Sequence, residues 1–124
     1  MPEKTIAQKL YLKDGMSILL VNAPQGYPAR LKLPKGVAVV KRAPADCVLA
    51  FIANSKEMRE QLPKLKRALT PKGMLWVCYY KGTSKIKTDI NRDMLHAYAK
   101  TLGLNGVSLI SLDDDWSAMR FKVA

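Results

Sequence analysis

Seven apolar residues in unbroken succession, Met74-Leu75-Trp76-Val77-Cys78-Tyr79-Tyr80, constrain this chain more than any other stretch. The run follows Leu69-Thr70-Pro71-Lys72-Gly73 and closes at Lys81-Gly82. A strand buried on both faces, preceded by a helical pattern and followed by a polar loop, is how the centre of a parallel α/β sheet reads. Such sheets bind ligands outside the carboxyl ends of their strands. Here that end carries the cationic loop Lys81 to Asp89.

A chain of 124 residues suits one domain with one core, spanning 1–124. With 48% apolar and 25% charged residues it is globular, not disordered. Its formal charge of +11 is unevenly placed, because residues 30–92 hold 15 Lys and Arg against 4 Asp and Glu. Such a field favours an anionic small molecule, an acidic protein surface or nucleic acid. Cys47 and Cys78 lack metal or redox spacing and read as buried thiols. Without a membrane-length apolar run or a signal-peptide core, the expected setting is the cytoplasm.

The chain reads as a helix over Thr5 to Leu12, then strands at Met16 to Val21, Val37 to Val40 and Cys47 to Ile52. Pro24, Pro28 and Pro34 leave room for only a turn or two of helix near Ala29 to Leu33. Asn54 caps the next helix with Glu57 in the reciprocal position, and Met58, Leu62, Leu65 and Leu69 form its apolar stripe. Pro63 predicts a kink or a two-piece helix. A further helix from about Asp89 to Asn91 turns Met94, Leu95, Tyr98 and Leu102 inward. Strands at Val107 to Leu112 and Ala118 to Val123 complete the set, the last alternating and antiparallel.

This order predicts a three-layer α/β domain: a shortened Rossmann-like sheet of about six strands, order 2-1-3-4-6-5, with only the C-terminal strand antiparallel. The link Lys41 to Asp46 is too short for a helical crossover. One covering helix must therefore be missing, and the bare sheet face predicts a homodimer.

Polar residues after the first, third and fourth strands should converge at the carboxyl edge: Asn22, Asn54, Ser55, Lys81, Ser84 and Lys85, with Arg92 in support. The competing reading is a solvated loop in which Thr88 or Asp89 caps a helix. The first strand is followed by Asn22-Ala23-Pro24-Gln25-Gly26-Tyr27 and not by a glycine-rich cradle, and Lys41-Arg42 replace the usual ribose-binding acid. His96 reads as a surface residue, Asp113-Asp114-Asp115 as a turn and not a metal site, and Trp76 and Trp116 as packing.

Ala45 to Phe51 through Leu75 to Gly82, with Asp113 to Phe121, resembles a small bacterial family known as a domain of unknown function, a resemblance that implies no reaction. More distantly, residues 45–124, with the passage Leu69-Thr70-Pro71-Lys72-Gly73 and the closing strand Trp116 to Phe121, are similar to the late half of class I S-adenosylmethionine-dependent methyltransferases. That resemblance implies the fold. With the glycine loop absent, the residues favour a non-catalytic binding domain for an anionic ligand or acidic partner, its cofactor unknown. The alternatives are a minimal methyltransferase using S-adenosylmethionine at Asn22 to Tyr27, and a nucleic-acid-binding protein.

Overall fold

The computed structural model describes residues 6–23, 27, 33, 35–81, 88–112 and 115–123. Helices α1 (Ile6–Lys9), α2 (Ser55–Arg67) and α3 (Arg92–Thr101) accompany strands β1 (Ser17–Val21), β2 (Ala38–Val40), β3 (Ala45–Phe51), β4 (Leu69–Tyr80), β5 (Leu104–Ser111) and β6 (Trp116–Val123). The sheet order is β2-β1-β3-β4-β6-β5. β1 pairs in parallel with β2 and β3, and β3 with β4; β6 is antiparallel to both β4 and β5. The fold is thus the shortened α/β arrangement expected from the order of elements.

Two cores flank the sheet. On one face α2 and α3 place Met58, Leu62, Leu65, Leu95 and Ala99 against Val48, Ala50, Leu75, Val77 and Phe121. The other face buries Ile18, Cys47, Leu49, Phe51, Trp76 and Cys78 beneath Leu10, Leu12 and Tyr27. Because β3 and β4 are covered on both sides, their sequences cannot alternate. The Trp76 indole N–H also donates to the Leu10 carbonyl at 3.3 Å, tying the segment after α1 to the sheet.

The short link between β2 and β3 is explained by register. Val40 lies level with Leu19, whereas Cys47 lies level with Ile18, so β2 stops low on β1. The chain must step back about 10 Å along the strands and sideways across two spacings of about 5 Å. Five Cα steps reach roughly 17 Å, enough for that diagonal. The cover provided by α2 and α3 stops short of this corner, where Leu19, Val21 and Val40 remain half-buried.

Three local expectations change. α2 runs through Pro63 as one helix, not two pieces. Proline cannot donate to the Arg59 carbonyl one turn earlier, and the Tyr98 hydroxyl of α3 donates to that carbonyl instead, at 3.2 Å. Met94 is 38% exposed and Ala99 takes the inward position, so the buried stripe of α3 begins one residue later than its apolar pattern suggests. Finally, Leu69 belongs to β4, paired with Ala45 before a register shift that bulges the Thr70 to Gly73 segment out of the ladder.

At the amino edge of the sheet, Asp46 clasps three strands. Its carboxylate accepts from the Ser17 amide at 3.0 Å, the Ser17 hydroxyl at 3.3 Å and the Thr70 hydroxyl at 3.2 Å. No described helix is long and apolar enough to cross a membrane.

Candidate functional site

The connection from β1 goes to β2 on one side, while β3 leads to β4 on the other. The carboxyl ends of β1 and β3 therefore form the topological switch point at which open α/β sheets bind ligands. Asn22 leaves β1 with φ +55°, a left-handed conformation in a non-glycine residue. Asparagine is among the few side chains that adopt it readily. The sharp turn that a glycine loop normally provides is thus made here by an asparagine, which is exposed. The rest of the proposed loop, residues 24–26, lies outside the described residues.

Across the crevice, β3 ends in Ile52-Ala53-Asn54. The Asn54 side-chain oxygen accepts from the Glu57 amide at 2.9 Å and caps α2. Glu57 reciprocates one residue earlier than a standard capping box, accepting from the Ala53 amide at 2.9 Å. Ser55 is engaged as well: its amide and hydroxyl donate to the two Asp89 oxygens at 2.7 and 2.6 Å. The Thr88 hydroxyl donates to the Ala53 carbonyl at 2.6 Å. Together these bonds latch the chain entering α3 onto the turn after β3. Hydrogen bonds from Ser55 hold the Asp89 carboxyl below its ordinary range.

At the same edge of the sheet, beside the ends of β3, β4 and β6, lies a buried aromatic cluster that sequence reading missed. Phe51 at the end of β3 meets Trp116 edge-on at 5.0 Å and Tyr27 at 5.1 Å, and Tyr80 stacks on Trp116 at 4.0 Å. The signal available was an aromatic near the ends of three neighbouring strands. It has no fixed sequence spacing, so only the strand order reveals it.

The remaining expected site residues divide. The Lys81 ammonium donates to the Ser111 hydroxyl at 2.5 Å, and its amide donates to the Asp115 carbonyl at 2.8 Å. It ties the end of β4 to β5 and to the β5–β6 connection. Arg92 stands apart, beside Asp93 at 3.6 Å and lining a groove between α3 and β5. Ser84 and Lys85 lie outside the described residues. Asn22 and Asn54 thus follow the neighbouring strands β1 and β3, with Ser55 latched to Asp89, while Lys81 and Arg92 make contacts elsewhere.

His96 is exposed and Trp116 is buried, as their patterns suggested. Among the described residues no cluster of His, Cys, Asp or Glu could hold a metal ion. Cys47 is fully buried, and desolvation pushes its thiol up to about 12.

No family model matches the sequence, and no curated protein does. Solved structures do match in fold. A TehB-like S-adenosylmethionine-dependent methyltransferase from Corynebacterium glutamicum aligns at TM-score 0.65 and 14% identity, covering 97% of this chain and 88% of its own. One from Aquifex aeolicus aligns at TM-score 0.69 and 13% identity, covering 96% and 88%. Aeropyrum pernix fibrillarin, solved with natively bound S-adenosyl-L-methionine, aligns at 0.62 and 12%, covering 94% and 73%. The domain is therefore methyltransferase-like in fold across nearly its whole length. The expectation of a non-catalytic binding domain is corrected by these neighbours. It rested on the missing glycine loop, but Asn22 adopts without glycine a left-handed conformation of the kind glycine usually supplies.

Proposed function

We propose that this chain is a minimal S-adenosylmethionine-dependent methyltransferase with its cofactor across the β1/β3 crevice. The supporting observation is the sheet, in which a reversed β6 stands between parallel β4 and β5, in a fold shared with methyltransferases over 96–97% of the chain.

The crevice suits the cofactor. Small residues, Ala23 and Ala53, follow the two strands and allow close approach of the backbone. The Asn54 oxygen is committed to capping, which leaves its amide nitrogen as a donor. Phe51 and Tyr27 make a rigid apolar packing behind the end of β3. No acid follows β2, where Lys41-Arg42 stand exposed, so the ribose hydroxyls are left to the Asn54 amide, while Asn22 contributes its backbone turn. When bound, the cofactor supplies a methyl group on a positively charged sulfur. The residues of the chain hold it and limit access of water. The +11 field favours a methyl acceptor that carries negative charge.

Calorimetry with S-adenosylmethionine and S-adenosylhomocysteine tests the reading. Saturation at a hundred times the dissociation constant should stabilise the fold by about 2.7 kcal/mol. Asn22→Gly should retain binding, whereas Asn22→Val, which disfavours the left-handed turn, should weaken it with the fold intact. An absence of heat and of thermal shift at millimolar cofactor would contradict the proposal.

A further inference from the structure

Among the described residues β5 forms one end of the sheet, with no strand beside the outer row of its backbone groups. Edge strands of this length are normally blunted by charges or proline. Leu104 to Leu112 contains neither, in a chain that is 25% charged. Among the described residues its ladder with β6 shifts register at Val107, and the Lys9 ammonium reaches only its far end, at the Ser111 carbonyl, 3.2 Å away. Val107 is 47% exposed and Leu109 is 45% exposed. Alongside runs the groove of about 260 Å³ between α3 and β5, lined by Arg92, Asp93, His96, Gly106, Leu109 and Met119.

We infer that this edge is a homodimer interface in which β5 pairs antiparallel with β5 of a second copy about a two-fold axis beside Gly106 and Val107. Charge selects this occupant. Two copies, each at +11, repel over most of their surfaces. The opposite edge of the sheet, at β2, is flanked by exposed Lys35, Lys41 and Arg42. β2 is itself uncharged but only three residues long, whereas β5 offers eight uncharged residues, and such a strand gives an acidic partner no advantage over a second copy.

α3 points to the same axis. Its buried Leu95 and Ala99 pack over residues of β5 and β6, including Leu104 and Met119. Asp93 and Lys100 lie two turns apart on its exposed side. An antiparallel copy of α3 centred between His96 and Ala97 brings Asp93 of each protomer to Lys100 of the other. His96 lies against Gly106, where an added Cβ would stand 2.7 Å from its ring. The centre of the helix pair and the centre of the strand pair thus fall at one level. Helices seated over the two edge pairs would lie about 10 Å apart, a normal packing distance.

Analytical ultracentrifugation of the full chain from about 1 to about 100 μM tests this by mass action. The wild type should be a dimer. Val107→Lys, or Asn105→Lys should the first fail to fold, should be a monomer with unchanged far-ultraviolet dichroism. Asp93→Lys should weaken the dimer roughly fivefold, and Asp93→Lys with Lys100→Asp should restore it. A wild type that is monomeric throughout, or an edge-lysine variant that stays dimeric, would overturn the interface. An Asp93→Lys variant of undiminished affinity would overturn the helix pairing.

Discussion

Among the described residues, Asp89 is the carboxylate whose ionisation is shifted, chiefly by one neighbour, Ser55. Both of its oxygens accept hydrogen bonds from Ser55, which favours the ionised form. Because its folded pKa lies below the ordinary 3.8, the latch stabilises the fold above that value and is lost as pH falls through the depressed one. A carbon-detected titration should find the Asp89 midpoint below 3.8, and Ser55→Ala should return it toward 3.8. An unchanged midpoint in that variant would contradict the assignment. Cys47 shifts the other way. With a thiol pKa of about 12, only about one molecule in ten thousand is thiolate at pH 8, so native alkylation should be far slower than in the unfolded chain. Its contribution to stability is full below 9.0 and declines as pH rises toward about 12. The sequence revealed Cys47 as buried but not Asp89 as a latch, because the bond to Ser55 joins residues 34 positions apart.

Among the elements, α2 shows how a local rule is overridden by a tertiary contact. Pro63 removes one donor, and Tyr98 replaces it on the Arg59 carbonyl. Tyr98→Phe should therefore cost about 0.5–1 kcal/mol in chemical denaturation, an amount limited by the exposure of that bond. Pro63→Ala restores the helical N–H and should stabilise the protein by about 1–3 kcal/mol. In the double variant the Tyr98→Phe loss should vanish, and purely additive effects would refute the coupling. The stripe of Met58, Leu62 and Leu65 was legible because burial follows helical period. The unbroken path through Pro63 was not, since its cause sits on another helix. Asp46 is a second such case. Asp46→Ala strands the Ser17 amide and frees β1, β3 and β4 from their clasp, with an expected loss of about 1–3 kcal/mol by denaturant titration.

At the scale of the molecule, strand order was legible because Met74 to Tyr80 could only be central and the alternating Met119-Arg120-Phe121 could only be a strand with one wetter face. The route from β2 to β3 was not, because it depends on how low β2 pairs with β1. Of the expected site residues, the positions of Asn22 and Asn54 after β1 and β3 were legible from the rule of carboxyl ends, whereas the bond of Lys81 to Ser111, 30 positions away, was not. The left-handed turn after β1 was not legible either, because it is made by Asn22 and not by a glycine. The central claim is that this turn and the end of β3 hold S-adenosylmethionine. Amide chemical-shift mapping on titration with S-adenosylhomocysteine tests it most directly. Saturable shifts concentrated at Asn22, Ala23, Ala53 and Asn54, and small at His96 and Leu109, are the expected result; no saturable shift at the β1 and β3 ends, or shifts centred on the α3–β5 groove, would contradict it.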